Sequence, residues 1–225
     1  MKKMLTLTKS FSFIILISSS LYAIDAFAKS SKEVWLEFTG TNYCEKSFCA
    51  EDIPFNLLEK TLTYFKNNQQ IINNVEFLAI IDFNLPSTQK RMFILNLKNG
   101  SVEKLLVAHG KKSEAGLAEA RYFSNIEGSN MTSLGFYLTD SLPYVGKHGK
   151  SLRLTGLSST NSNARERNIV LHGAEYATQW FADEKGRLGL SEGCPAVAPD
   201  KILGLIKKLQ GEALLYFHFD LASLK

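Results

Sequence analysis

From Phe77 onward the apolar residues fall in short runs: Phe77 to Phe83, Arg91 to Leu97, Val102 to Ala108, Leu134 to Leu138, Leu152 to Leu154, Ile169 to His172 and Leu214 to Phe219. Runs of this length, bounded by turn residues, suit strands and are too short for helices. Asn99-Gly100, between the second and third runs, predicts a primed hairpin turn. Two segments carry the helical period instead. In the first, Asp52 can cap, Pro54 suits the first turn, and Phe55, Leu58, Leu62 and Phe65 recur three and four residues apart. In the second, Pro199 to Leu209, Pro199 fits the first helical position and Ile202, Leu203, Ile206 and Leu209 share a face. Val34 to Phe38 predicts a short strand or an ordered arm, and the polar stretch from Gly110 to Ser133 a long excursion over the surface, where function is often carried. No repeat, low-complexity tract or linker divides the chain. The expected fold class is mainly β (α+β), with two or three flanking helices.

The first 28 residues have the layout of a secretory signal: Lys2, Lys3 and Lys9, then apolar Phe11 to Ala23, then Ala26-Phe27-Ala28, which predicts cleavage after Ala28. The apolar part is interrupted by Ser18, Ser19 and Ser20 and falls short of the roughly 20 residues of a bilayer span. The expected organisation is a signal at 1–28, an arm and helix at 29–74 packed on the main domain, and a catalytic domain at 75–225, exported to the periplasm or cell envelope. After cleavage no membrane attachment is expected, and the protein should be a monomer. Lys and Arg number 26 against 22 Asp and Glu, and no basic block interleaves with aromatics, which argues against a nucleic-acid partner. Of three cysteines, Cys44 and Cys49 lie close enough in sequence to pair in an oxidising compartment. Cys194 is then the odd thiol. Either it has a chemical task, or it is a buried thiol acting as a small apolar side chain.

Two segments could carry that chemistry: Ile169-Val170-Leu171-His172-Gly173-Ala174 and Ser191-Glu192-Gly193-Cys194-Pro195-Ala196. A thiol attacks as thiolate, so Cys194 needs a base or cation beside it, and His172, at the end of an apolar run and before a glycine, is the best-placed candidate. Gly193 lets backbone N–H groups near Cys194 turn toward a developing oxyanion. A third group must orient His172: a backbone carbonyl, Glu192 or His148. Around this pair, Tyr137, Tyr144, His148, Ser191, Arg187 and Gly173 are the candidate substrate-binding residues, with Ser124 and Ser129 as further candidates for the wall. Arg165, Arg167 and Arg187 could clamp carboxylates. His109 precedes a glycine like His148 and could line the cleft, whereas His218 reads as structural. The spacing of His109, His148 and His172 fits no compact ligand motif, so neither a metal nor another cofactor is expected.

His172-Gly173 followed by Ser191-Glu192-Gly193-Cys194 resembles the L,D-transpeptidase (YkuD-like) catalytic domain family, and most closely the murein L,D-transpeptidase catalytic domain-like branch, whose nucleophile is followed by Pro-Ala. The likeness extends to Asp82-Phe83, Val107-Ala108-His109-Gly110, Phe123-Ser124-Asn125, Ser133-Leu134-Gly135-Phe136-Tyr137 and Tyr144-Val145-Gly146-Lys147-His148-Gly149, and so spans about Phe77 to Ala196. The resemblance implies a β-rich catalytic domain in which Cys194 attacks a peptidoglycan stem peptide between an L-centre and a terminal D-amino acid, with His172 as base and no cofactor. Where the wider family has an Arg two residues after the nucleophile, this chain has Ala196. Two alternatives stay open: an L,D-carboxypeptidase or endopeptidase that uses water as acceptor, and a non-catalytic wall-binding module on the same scaffold.

Overall fold

The structure, a computed structural model, describes residues 30–39 and 49–221; the expected export signal and Cys44 lie outside them. Among the described residues nine strands join in one sheet: β1 (Phe77–Asp82), β2 (Met92–Asn96), β3 (Val102–Leu105), β4 (Gly135–Thr139), β5 (Tyr144–Gly146), β6 (Gly149–Gly156), β7 (Val170–Gly173), β8 (Ala196–Val197) and β9 (Leu214–His218). Their order is β3-β2-β1-β9-β4-β6-β7-β8, with β5 paired to β6. All seven expected runs are strands, so the mainly β reading with flanking helices holds. Neighbours are antiparallel except β1 with β9 and β7 with β8.

Among the described residues the α-helices are α1 (Ser31–Thr39), α2 (Phe55–Asn67), α3 (Gln179–Lys185) and α4 (Pro199–Leu209). β1 is buried from Leu78 to Asp82 because its alternate residues face two cores. Leu78 and Ile80 pack with Trp35 of α1 and with Leu57, Leu58, Leu62 and Phe65 of α2, while Ala79 and Ile81 share a cluster with Ile202, Leu205, Ile206 and Leu209 of α4. On α4 the stripe therefore runs through Leu205; Leu203, expected on that face, is exposed. Asp52 does not cap α2. Its carboxylate accepts the Cys49 N–H at 2.7 Å and closes a short 3-10 turn, and Pro54 at the start of α2 provides no side-chain cap. A cap is worth about 1 kcal/mol, whereas each fully buried Leu or Phe contributes about 1.5–3 kcal/mol, so the apolar stripe sustains the helix without one.

Residues Val34 to Phe38, expected as a strand or arm, belong to helix α1. Ser30 and Glu33 exchange hydrogen bonds, Glu33 N–H to Ser30 Oγ at 3.3 Å and Ser30 N–H to Glu33 Oε2 at 2.6 Å, a reciprocal capping box that starts the helix. The Asn99-Gly100 turn also differs from expectation. Asn96 and Ser101 close a four-residue loop, and of its residues only Gly100 has a positive φ, +69°, whereas either primed two-residue turn needs one at its first residue, here Asn99. Cys49 is disulfide-bonded and Cys194 is a free thiol. Among the described residues no helix is long and apolar enough to cross a membrane.

Candidate active site

Strand register brings the two segments together. β7 and β8 run parallel with His172 opposite Ala196 and Gly173 opposite Val197. Cys194, two residues ahead of Ala196, therefore lies beside Val170, whose N–H donates to Sγ at 3.4 Å; the thiol in turn faces the Asn168 carbonyl at 3.8 Å. Cys194 and His172 both line a cavity of about 500 Å³, together with Tyr144, Lys147, His148, Arg167, Asn168, Val170, Tyr176, Leu190, Ser191 and Glu192.

The imidazole of His172 is oriented by backbone. Its Nδ1 lies 3.0 Å from the Gly173 carbonyl, which can only accept, so Nδ1 carries the proton and Nε2 keeps a lone pair. The His148 ring stacks on it, centroids 4.1 Å apart and planes 22° from parallel. His148 and Lys147 occupy the two-residue tip of the β5–β6 hairpin, which places them over the cavity. Glu192, an alternative orienting group, faces Lys111 at 3.3 Å and Lys147 at 3.7 Å instead. Burial, partly opposed by the Gly173 carbonyl and aided by His148 and Lys147, holds His172 down at about 4. Burial likewise raises the Cys194 thiol, against the Val170 N–H, Lys147 and Arg167. The resting pair is thus a neutral imidazole and a neutral thiol.

The loop that carries Cys194 is tightly braced. Ser191 Oγ donates to the Cys194 carbonyl at 2.6 Å and accepts the Gly193 N–H at 3.1 Å. Its backbone N–H bonds His109 O, and its carbonyl accepts Lys111 N–H. Beneath it, the buried Arg91 donates to Val107 O and to His109 Nδ1. A Cβ on Gly110 would lie 2.6 Å from Asn130 O and 2.9 Å from both Gly193 Cα and Thr132 N, all backbone atoms. Gly110→Ala is expected to cost about 1–3 kcal/mol by overpacking, lowering the melting temperature by roughly 3–10 °C. An unchanged melting temperature would mean that the loop yields freely.

Several expected site residues stand elsewhere. Gly193, at φ +119°, turns the chain before Cys194, but its N–H is taken by Ser191 and is not an oxyanion donor; the Cys194 N–H donates to no acceptor among the described residues. Tyr137 is fully buried in the core, its hydroxyl bonded to Ser133 and its ring against Phe217, so it is no substrate contact. Arg187 pairs with Glu114 at 3.5 Å, and Arg165 with Asp140 at 2.7 Å; neither lines the cavity. Gly173 faces α4, where a Cβ would meet Ile202 and Pro199, so its part is to present the carbonyl to His172. His109 is buried on Arg91 beneath the loop and does not line the cavity, and neither do Ser124 and Ser129. Tyr144, His148 and Ser191 do line it.

Residues 49–218 match the family described as L,D-transpeptidase catalytic domain, YkuD_2. The chain belongs to that family. No curated protein matches it. Solved L,D-transpeptidase structures are similar at low identity. One is LdtMt1 in complex with imipenem (13% identity, TM-score 0.38, 64% of this chain and 59% of that chain). Others come from Mycobacterium smegmatis (13%, 0.37, 64% and 59%) and Xylanimonas cellulosilytica (10%, 0.37, 64% and 60%). The chain spans less than two thirds of the length of each. Within this L,D-transpeptidase domain, Ala196 is fully buried, paired with His172 on one side and bridged to Ala108 on the other. A long cationic side chain has no room to point inward there.

Burial of the two histidines also sets an acid limit on this domain. Burial, with Arg91 and Arg187 adding to it, holds His109 at about 3, as it holds His172 at about 4, against 6.5 when unfolded. Below pH 6.5 the unfolded chain takes up protons that the folded chain refuses, so stability falls as pH drops. His172 alone accounts for about 3 kcal/mol by pH 4. Melting temperature should therefore decline steadily from pH 6.5 to 4, and less steeply in His172→Gln. Parallel declines would contradict the assignment.

Proposed function

We propose that this domain is a peptidoglycan L,D-transpeptidase of the cell envelope, with Cys194 as nucleophile and His172 as general base. The observation that carries the reading is a free thiol and a neutral imidazole, with Nε2 unprotonated, lining one open cavity. In the proposed sequence, His172 Nε2 takes the thiol proton as Sγ attacks the carbonyl of the L-centre in a donor stem. The Cys194 N–H is the available backbone donor for the oxyanion. The C–N bond breaks, the terminal D-amino acid leaves with the proton from His172, and a thioester remains. An acceptor amine then attacks the thioester and restores the thiol. Outside the cytoplasm no nucleotide drives the new bond, and the thioester retains the energy of the old one.

The test is incubation of the purified protein with tetrapeptide muropeptides, read by mass spectrometry. Cross-linked dimers or exchanged terminal D-amino acids support acyl transfer to an amine. Shortened stems alone would assign water as acceptor, and unaltered substrate with intact binding to sacculi would leave a wall-binding module.

A further inference from the structure

Arg167 stands at the end of the turn before β7 and lines the cavity beside Cys194. Its Nη1 donates to Ser124 O at 2.8 Å and Ser133 Oγ at 3.1 Å, and its Nη2 to Met131 O at 2.5 Å and Ser129 Oγ at 3.4 Å. With both terminal nitrogens engaged, the side chain cannot offer the two-pronged clamp to a substrate carboxylate. All four acceptors are uncharged, so its positive charge has no ionic partner among them. Nη2 lies 3.1 Å from where a Cβ on Gly193 would stand, one residue ahead of the nucleophile. Met131, which it holds, also abuts Gly193, and Thr132 donates to the Gly193 carbonyl at 3.3 Å.

The charged and titratable groups around the sulfur come from several elements: Tyr144 from β5, Lys147 and His148 from the β5–β6 hairpin tip, His172 from β7, Glu192 from the nucleophile loop, Tyr176 from the segment before α3, Arg167, and behind it, through Ser133, Tyr137 from β4. Lys147 and Arg167 are the two cations. Lys147 has a side chain 74% exposed and faces Glu192, so water and a counter-charge screen it. Arg167 is fixed by four hydrogen bonds and has no carboxylate partner among the described residues. We propose that Arg167 is the positioning residue of the nucleophile: it seats the Gly193–Cys194 turn through segment 124–133, and its charge stabilises the sulfur as thiolate when the proton leaves. The inference rests on the reading of Cys194 as nucleophile.

Alkylation of Cys194 by iodoacetamide, followed by mass spectrometry across pH, tests it without any peptidoglycan. The thiolate forms the new S–C bond as iodide leaves, so the rate follows the thiolate fraction. Loss of a cation at this range changes thiol acidity by about tenfold. Arg167→Gln should react about tenfold more slowly at pH 7 and reach the wild-type rate at high pH. Arg167→Lys, which keeps the charge and loses most of the hydrogen bonds, should stay within about twofold of wild type even if its melting temperature falls. Lys147→Gln should change the rate less than Arg167→Gln does. A wild-type curve for folded Arg167→Gln overturns the proposal, and so does a Lys147→Gln effect larger than that of Arg167→Gln. If Arg167→Gln does not fold, Arg167→Lys decides: a curve near wild type supports the charge role, and a tenfold displacement overturns it. A flat result here leaves the transpeptidase reading standing. Failure of muropeptide turnover would remove that reading and leave the alkylation result intact.

Discussion

Cys194→Ala is expected to lower turnover of tetrapeptide stems by about four orders of magnitude or more, since no covalent intermediate can form without the sulfur. The fold should survive the change. Among the described residues the polar contacts of Sγ are long, 3.4 Å to the Val170 N–H and 3.8 Å to the Asn168 carbonyl, and the loop is held by Ser191, Gly110 and Thr132 rather than by the thiol. The melting temperature should move by only about 2 °C. Cys194→Ser should be nearly as inactive, because a base held at about 4 is a poor match for a hydroxyl less acidic than a thiol. Product analysis beside thermal denaturation separates lost chemistry from lost structure. Retained turnover in folded Cys194→Ala would place the nucleophile elsewhere.

His172→Gln should reduce turnover by roughly 10²–10⁴-fold, the usual contribution of a positioned base. The wild-type rate should rise with pH through about 4, where the imidazole loses its proton, and show no second rise near 6.5. His172→Gln should lack that acid limb. The sign follows from burial: the cavity wall disfavours the imidazolium, so the base form is present throughout the neutral range. The same burial raises the thiol, which makes proton transfer uphill in the resting site. Thiolate is therefore formed as the carbonyl is attacked and not stored beforehand. An acid limb centred at 6.5, or one that persists in His172→Gln, would contradict this.

The strands were legible because β1, β2, β4 and β9 are long enough to show their apolar run, and α4 because its stripe spans three turns between Pro199 and Gln210. The short elements were not. β8 has two residues, β5 three and α3 seven, too few for a period to register. Helix α1 is hidden in the sequence because Val34-Trp35-Leu36 looks like a strand run, while the signal that decides it, Ser30 with Glu33, is a pair of polar side chains three residues apart. In the site, glycine beside His172 and Cys194 marks two segments that line one cavity. Which neighbours reach the cavity depended on register and on turns. Tyr137, on a strand with one face in each core, points inward, whereas Tyr144 and His148 ride a hairpin over the opening. Lys147, Asn168 and Tyr176 also line the cavity and were missed. Lys147 is adjacent to His148 in the hairpin tip, which a turn reading of Gly146 to Gly149 could have found. Asn168 has a left-handed φ of +52°, which an asparagine ahead of a strand can signal. Tyr176 left no such mark.

Intact-protein mass spectrometry during incubation with a tetrapeptide muropeptide reads the central step directly. The account predicts an added mass equal to the donor stem less its terminal D-amino acid, mapped by peptide sequencing to Cys194 and absent from Cys194→Ala. A stem processed without any adduct at that sulfur, or an adduct carried on another side chain, would contradict it.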